Sequence, residues 1–462
     1  MFVSERLVGM KGLRILLAML VGKFSAWFLR VFVGRGTNTP GILMQKICPD
    51  ILGYFKMPPL VICVTGTNGK TSTSNMVSHM LSSAGMSVVK NSKGSNMAPG
   101  LVSALVTVST LGGKVKRDAA VLEVAERSSQ YIYKYFTPTY ILCTNLFRDS
   151  IKRNGHSEFI FDKINRYIPA GTKLLLNGND AISGRLGEGT HEQVFFAVER
   201  TPVSTDVCEN NVCDIMSCPV CHKPLHFDFY HYHHIGVPRC ACGFAMPEAR
   251  FVAKNVDFSA GTFEFCEAEE SLVLPFAAGN LFNVFNVTAV ASIGRLVGLS
   301  MEVIGEGIRS FSARTGRFEA EKKGGRNVVT MLFKNQNPIS GSQSMQYLNR
   351  IDGTKDVILI VTDSKDRVHG HEDISWIYDT DFEVLASPEV HKIIIGGSRC
   401  YDMGLRLHVA GVSEKKMELF ESYTTMQERL QEFLAPEGTV VVFFELYAMP
   451  IANEIKKRLT QG

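Results

Sequence analysis

An apolar run, Leu60 to Val64, leads directly into Thr65-Gly66-Thr67-Asn68-Gly69-Lys70-Thr71-Ser72 and then into a helical pattern from Thr73 to Ser82. No other stretch narrows the fold as much. A buried strand that ends in a glycine turn and feeds a helix is the setting of a phosphate-binding loop. Gly66 and Gly69 let the backbone turn tightly and aim its N–H groups inward. The helix N-terminus adds partial positive charge. Lys70 can reach terminal phosphates, and the Thr71 hydroxyl can ligate Mg²⁺. Gly66, Thr67, Asn68, Gly69, Lys70, Thr71 and Ser72 are therefore the candidate nucleotide-binding residues. Val64 stands where the general loop carries its outer glycine, so the loop is a variant of the common form.

From Leu60 to about Ile293 apolar strands alternate with helical patterns. Strands are expected at Leu60–Val64, Ser87–Lys90, Ala119–Glu123, Tyr140–Thr144 and Lys173–Asn177. This alternation predicts a doubly wound parallel α/β sheet. Ligands of such sheets sit beyond the carboxyl ends of the strands. Polar groups cluster at those ends: Asn91 to Asn96, Glu123-Val124-Ala125-Glu126, and Thr144-Asn145-Leu146-Phe147-Arg148-Asp149. A carboxylate at a strand end facing a phosphate loop is a candidate Mg²⁺ ligand, and Glu123 is the one so placed. After about Glu319 a second α/β pattern begins. Its strands are expected at Val328–Phe333, Val357–Thr362, Lys392–Gly396 and Thr439–Phe444. With 462 residues the chain has room for two or three domains. The expected division is an N-terminal helical segment over 1–55, a central ATP-binding domain over 56–318 with an insertion over 205–250, and a C-terminal α/β domain over 319–462.

The insertion is set apart by its cysteines. Cys218-Pro219-Val220-Cys221 and Cys240-Ala241-Cys242-Gly243 flank a His- and Tyr-rich middle long enough for two short strands. Paired thiols at this spacing predict a structural zinc ribbon, Cys218, Cys221, Cys240 and Cys242 closing a tetrahedron around Zn²⁺. A single residue separates the second pair, which leaves Cys208, Cys213, His222 or His234 as a substitute ligand. The chain has 11 cysteines in all, a usage that fits free thiols and metal in a reducing compartment better than a secreted disulfide scaffold.

Residues Arg6 to Val33 are strongly apolar but interrupted by Lys11, Arg14, Lys23 and Arg30. No uninterrupted run reaches the roughly 20 residues of a spanning helix, and a cleaved signal peptide is not expected. Two readings stay open: an amphipathic helix packed on its own domain, and a basic helix resting on a membrane surface. A net charge of +4 is too mild to argue for a nucleic-acid partner.

The motifs together resemble one family, the MurT-type, Mur-ligase-like subunits of Gram-positive lipid II isoglutaminyl synthases. Thr-Gly-Thr-Asn-Gly-Lys-Thr is shared with Mur ligases and folylpolyglutamate synthetases at large. The resemblance continues through Asn-Leu-Phe-Arg-Asp, the helix opened by Asn280 to Asn286 and Gly316-Arg317-Phe318-Glu319; more specific than the loop are the cysteine-pair ribbon and the C-terminal strings Asp373-Ile-Ser-Trp-Ile-Tyr-Asp379 and Gly-Ser-Arg-Cys-Tyr-Asp-Met403. The resemblance implies a Mur-ligase-type ATPase domain and a C-terminal domain that docks a GatD-type glutaminase. It implies ATP-dependent amidation of the D-glutamate α-carboxyl of lipid II through an acyl phosphate. ATP, Mg²⁺ and Zn²⁺ are the implied cofactors, with Lys70 on the phosphates and Thr71 and Glu123 on Mg²⁺. Asn283 would meet the adenine and Arg317 the phosphates. Asp373 would complete the partner's Cys–His pair, with Asp363 and Asp366 as alternatives. The implied setting is cytoplasmic, at or near the inner face of the membrane. Two rivals share the loop: a ligase that adds an amino acid, and a nucleotide-binding activator of a glutaminase that does no chemistry itself.

Overall fold

The computed structural model describes residues 2–33, 38–91, 95–149, 154–277, 281–311, 318–323, 326–333, 337–362 and 373–461. The chain divides into two compact units. The first comprises Met1–Leu146, Ser157–Val207 and Ile215–Ser312; the second comprises Phe147–His156, Cys208–Asp214 and Ala313–Gly462.

The first unit is built on a nine-stranded sheet. Its strands are β1 (Leu60–Thr65), β2 (Val88–Lys90), β3 (Ala119–Glu123), β4 (Tyr140–Cys143), β5 (Lys173–Asn177), β6 (Gln193–Val198), β9 (Phe251–Asp257), β10 (Thr262–Glu267) and β11 (Glu270–Pro275). The order is β11-β10-β9-β6-β5-β4-β1-β3-β2. From β2 to β9 all neighbours are parallel. The central strands β3 and β4 are buried throughout and β1 from its second residue on, as strands covered on both faces must be. The register sets Val64 level with Glu123 and Thr65 level with Cys143, so the ends of β1, β3 and β4 share one edge. Helix α3 (Lys70–Ser83) leaves that edge and packs on α6 (Leu281–Leu296) and α7 (Met301–Arg309). Ser300 caps α7 by accepting the Val303 N–H. The β9–β10–β11 edge is an antiparallel meander, which the alternating pattern did not predict.

At the N-terminus, α1 (Phe2–Phe28) runs into a π-helical turn, Leu29–Val33, and packs on α2 (Thr39–Ile47) and α4 (Ala98–Val108). The segment is helical, as both open readings required. Lys11–Phe32 forms 22 continuous helical residues of mean hydropathy 1.8, long and apolar enough by length and composition to cross a membrane. Only 17% of its apolar window is buried, so packing on its own domain accounts for a minor face.

The second unit holds a six-stranded sheet in the order β12-β13-β17-β14-β15-β16. The strands are β12 (Phe318–Lys323), β13 (Arg326–Phe333), β14 (Lys355–Ile360), β15 (Val390–Gly396), β16 (Met417–Phe420) and β17 (Gly438–Glu445). All pairs are parallel except β12 with β13. Alternate residues serve opposite cores: Val357, Leu359, Ile393 and Phe443 on one face, Ile358, Ile360, Ile394 and Val442 on the other.

Candidate active site and metal centre

The phosphate loop is pinned from β4. Asn145 accepts the Thr67 N–H with its carbonyl at 2.8 Å and the Asn68 N–H with Oδ1 at 3.0 Å. The Thr144 hydroxyl donates to the Asn68 carbonyl at 2.6 Å. Gly66 and Gly69 take positive φ, +119° and +84°. A Cβ on Gly66 would collide with Thr144 Oγ1, and one on Gly69 with Asn286 Oδ1 of α6. The two glycines thus allow close backbone approach as well as the turn.

Four charged or metal-ligating groups converge on the loop mouth: Lys70, Glu126, Thr71 and Glu123. Lys70 Nζ donates to the Gly66 carbonyl, to the Thr67 carbonyl at 3.3 Å and to Glu126 Oε1 at 2.7 Å. The Thr71 hydroxyl donates to Glu123 Oε2 at 2.9 Å. Glu123 also accepts Asn96 Nδ2 at 3.3 Å, and its backbone is held on both sides by the Asn91 amide at 2.8 Å. The site therefore presents an ammonium and a hydroxyl–carboxylate pair side by side, in mostly buried surroundings. That is the donor set for a polyphosphate and its Mg²⁺. Ser72 lies half-buried on the first turn of α3.

Two residues of the site escaped their roles in the sequence. Glu126 stands just past β3 and is the carboxylate that actually pairs with Lys70. Asn286, buried in α6, meets Gly69 and accepts the Thr73 hydroxyl at 3.3 Å. Both belong to motifs visible in the sequence, but nothing local distinguishes Glu126 from Glu123. Asn283 sits one helical turn before Asn286 and donates to the Ala277 carbonyl at 3.3 Å. Arg317, Asp363 and Asp366 lie outside the described residues. Arg148 does not join the loop: it belongs to the second unit, where its Nε pairs with Asp214 at 2.5 Å. Asp373 is half-buried in the second unit, its Oδ1 accepting the Ser375 N–H at 2.8 Å beside the buried Trp376.

The four ribbon cysteines come together. Their sulfurs all lie within 4.8 Å of one another, with Cys218–Cys242 at 3.6 Å and Cys221–Cys240 at 3.5 Å. Among the described residues no other such cluster occurs. The cysteines flank the hairpin of β7 (His226–Tyr232) and β8 (Ile235–Arg239). Desolvation pushes the Cys218 thiol up, but the Cys221 and Val220 amides outweigh it and hold it at about 6. Cys242 feels the lowering Phe244 amide first, yet desolvation and the other thiols push it up to about 12. Thiols so crowded compete for negative charge, the condition that a bound dication relieves, and the donor set fits zinc. His234 is engaged elsewhere, its Nε2 at 3.4 Å from the buried Asp180.

Known proteins sharpen the picture. Residues 64–196 match the Mur ligase middle domain and residues 334–449 the MurT ligase C-terminal domain. A relative from Staphylococcus aureus (strain COL), the MurT subunit of a glutamine-hydrolysing lipid II isoglutaminyl synthase, is 31% identical over 82% of this chain and 84% of its own. The chain belongs to the MurT family. The MurT subunit from Streptococcus pneumoniae (strain ATCC BAA-255 / R6) is 28% identical over 88% of this chain and 89% of its own. In fold, this MurT-family chain is similar to a pseudomurein peptide ligase type C from Methanothermus fervidus, with TM-score 0.68 at 19% identity, covering 93% of this chain and 86% of that one. It is also similar to MurF from Acinetobacter baumannii, with TM-score 0.63 at 15% identity, covering 90% and 80%. The Mur-ligase α/β fold expected from the sequence is thereby shown.

Proposed function

We propose that this chain is the ligase subunit of an isoglutaminyl synthase. It transfers the γ-phosphoryl group of ATP to the D-glutamate α-carboxyl of lipid II, releasing ADP, and ammonia then displaces phosphate from the acyl phosphate to give D-isoglutamine. The observation that carries the reading is the convergence of Lys70, Thr71 and Glu123 on one loop mouth in a MurT-family chain. The loop amides and Lys70 hold the phosphates and stabilise the charge on the transferring group. Thr71 and Glu123 would hold Mg²⁺, which would offset the negative charge of the phosphates. Asn283 and Arg317 are proposed for the adenine and the phosphates. In the resting site Glu126 holds Lys70 near the loop carbonyls, so Lys70 must exchange that carboxylate for phosphate when nucleotide enters.

Ammonia comes from a GatD-type glutaminase partner. Cys143 and Cys400 support this assignment: burial pushes both thiols up, the opposite of what a nucleophilic thiolate requires. Zinc at Cys218, Cys221, Cys240 and Cys242 is structural, since four thiolates leave no position open for water. The setting is cytoplasmic.

The test is amidation of a D-glutamate-containing lipid II by the chain with a glutaminase partner, glutamine and ATP. Lys70→Ala removes the charge that acts on the transferring phosphoryl group, and the expected loss is about 3–4 kcal/mol in kcat/KM. Near-wild-type amidation by this variant would sink the chemistry assigned to the loop and leave a nucleotide-binding activator.

A further inference from the structure

The N-terminal helix leaves a large apolar face without a protein partner among the described residues. Its inner face is fully used: Ala18 and Met19 are buried, and Gly22 lies so close to Met44 of α2 that a Cβ there would overlap its sulfur. Its outer face carries Leu13, Leu16, Leu20, Phe24 and Trp27 at helical spacing, between 46% and 68% exposed. The rings of Phe24, Trp27, Phe28 and Phe32 form one aromatic cluster with centroids 4.9–6.3 Å apart. Between α1 and α2 the same face holds a groove of about 480 Å³ lined by Leu20, Phe24, Phe28 and Leu43. A contiguous exposed apolar surface of this kind marks an interaction site.

Charge identifies the occupant. From Lys11 to Ile47 the sequence has no Asp or Glu, while Lys11, Arg14, Arg30 and Lys46 are all exposed. Lys23, the cation nearest the middle of the helix, is turned away from the apolar face. Its Nζ donates to the Val106 carbonyl at 3.0 Å and the Ser109 carbonyl at 2.5 Å, at the C-terminal end of α4. The outer face is therefore apolar through its middle, with exposed cations toward the ends of the apolar stretch, Lys11 and Arg14 at one and Arg30 at the other. Aromatic rings favour the boundary between hydrocarbon and water, and basic margins favour anionic head groups.

We propose that α1 docks this chain on an anionic phospholipid bilayer, lying in the interface with its Leu13–Phe32 face in the acyl boundary and its inner face still packed on α2 and α4. The helix is long enough to cross instead. Crossing would strip Lys23 from its carbonyls and Met19 and Gly22 from their packing, so the interfacial pose keeps what the fold has built. A lipid-linked substrate would bring the enzyme to the same surface, but the argument from α1 stands without it.

The experiment is flotation of the full chain with vesicles of phosphatidylglycerol and phosphatidylcholine, against vesicles of phosphatidylcholine alone. Binding to the anionic vesicles is expected, weakened by salt, with Trp27 fluorescence quenched by brominated acyl chains. Trp376, the other tryptophan, is buried and serves as the internal reference. Leu16→Gln/Phe24→Gln should lower the bound fraction by on the order of tenfold or more, with unchanged thermal unfolding. Arg14→Glu/Arg30→Glu should remove the preference for anionic lipid. No binding to either vesicle overturns the proposal, as does binding indifferent to both variants. Retention through alkaline carbonate extraction replaces the interfacial pose with a spanning one. A concentration-dependent dimer that is lost in Leu16→Gln/Phe24→Gln, without vesicle binding, assigns the face to a second copy. Amidation of a soluble substrate analogue is untouched in every case, so these failures are separable from failure of the ligase reading.

Discussion

Three oxygens hold the Lys70 ammonium: the Gly66 and Thr67 carbonyls of the loop and Glu126 Oε1 just past β3. Glycine chemistry sets the space it works in. Gly69 combines φ of +84° with an approach to Asn286 that leaves no room for a methyl group. Gly69→Ala should therefore fold, because the strain is confined to one turn, but should distort the loop by a cost on the order of 1–3 kcal/mol. The expected result is ATP affinity weakened about tenfold or more in titration calorimetry, with the thermal transition lowered by about a few degrees. Wild-type affinity would show that the loop's positive φ is not needed for nucleotide. The same residue scale shows why sequence spacing alone was insufficient. Glu123 and Glu126 are both acids at one strand end, and only their directions distinguish the partner of Thr71 from the partner of Lys70.

Among the elements, the ribbon hairpin is the one that depends on groups beyond its own core. Its metal cluster is proposed to hold one zinc per chain. Cys218→Ser/Cys221→Ser should lose both the zinc, by elemental analysis, and the fold of the hairpin. Full zinc content in that variant would refute the ligand set. The hairpin also docks through histidines. His231 is buried, bonds the Val198 carbonyl at 3.1 Å and the Ser204 hydroxyl at 2.9 Å, and packs edge-on against Phe285 of α6. Burial lowers its pKa from 6.5 to about 4. Between those values the unfolded chain binds a proton that the folded chain does not, so stability falls as pH falls through that window. The His231 contribution at pH 5 should be about 2 kcal/mol smaller than at pH 7. Urea unfolding of wild type and His231→Gln at both pH values measures it: the variant should show a shallower slope, and equal slopes would mean that His231 is charged or hydrated in the fold. Asp180 acts lower on the scale. Desolvation raises its carboxyl, but His234, Ser183 and the Leu146 amide together hold it below the usual value. Its contribution is present at neutral pH and lost only as pH falls through the acid range.

At the scale of the whole molecule, the proposed tasks fall on different units. Lys70, Thr71, Glu123 and Glu126, proposed for the nucleotide and its metal, belong to the first unit, and Asp373 belongs to the second. A glutaminase needs a thiolate, a histidine base and often a third group to orient it. If Asp373 supplies that third group to the partner, Asp373→Asn should depress glutamine-dependent amidation while ammonia-dependent amidation, ATP binding and assembly of the complex remain. The check is the same variant assayed with glutamine and with free ammonia. Equal loss with both would place Asp373 in the ligase site or the fold, and no loss with either would move the role to Asp363, Asp366 or the partner.

What the sequence by itself determined was whatever has a local cause. Continuous apolar runs marked β1, β3, β4, β5 and four of the six strands of the second sheet, because each strand's burial is written in its own residues; β12 and β16 lack such a run and were not foreseen. The glycine loop and the cysteine pairs were legible because positive φ and thiol spacing are properties of a few consecutive residues. Only the tertiary structure decided what depends on distant segments meeting. Lys70 finds Glu126 across 56 positions, and Thr73 finds Asn286 across 213. Residues Cys208–Asp214 leave the first unit for the second. The charges of α1 looked as though they interrupted an apolar helix, until Lys23 turned inward to carbonyls 83 and 86 positions away. Each of these is a choice of direction made by packing, and a chain read one residue at a time carries no signal of it.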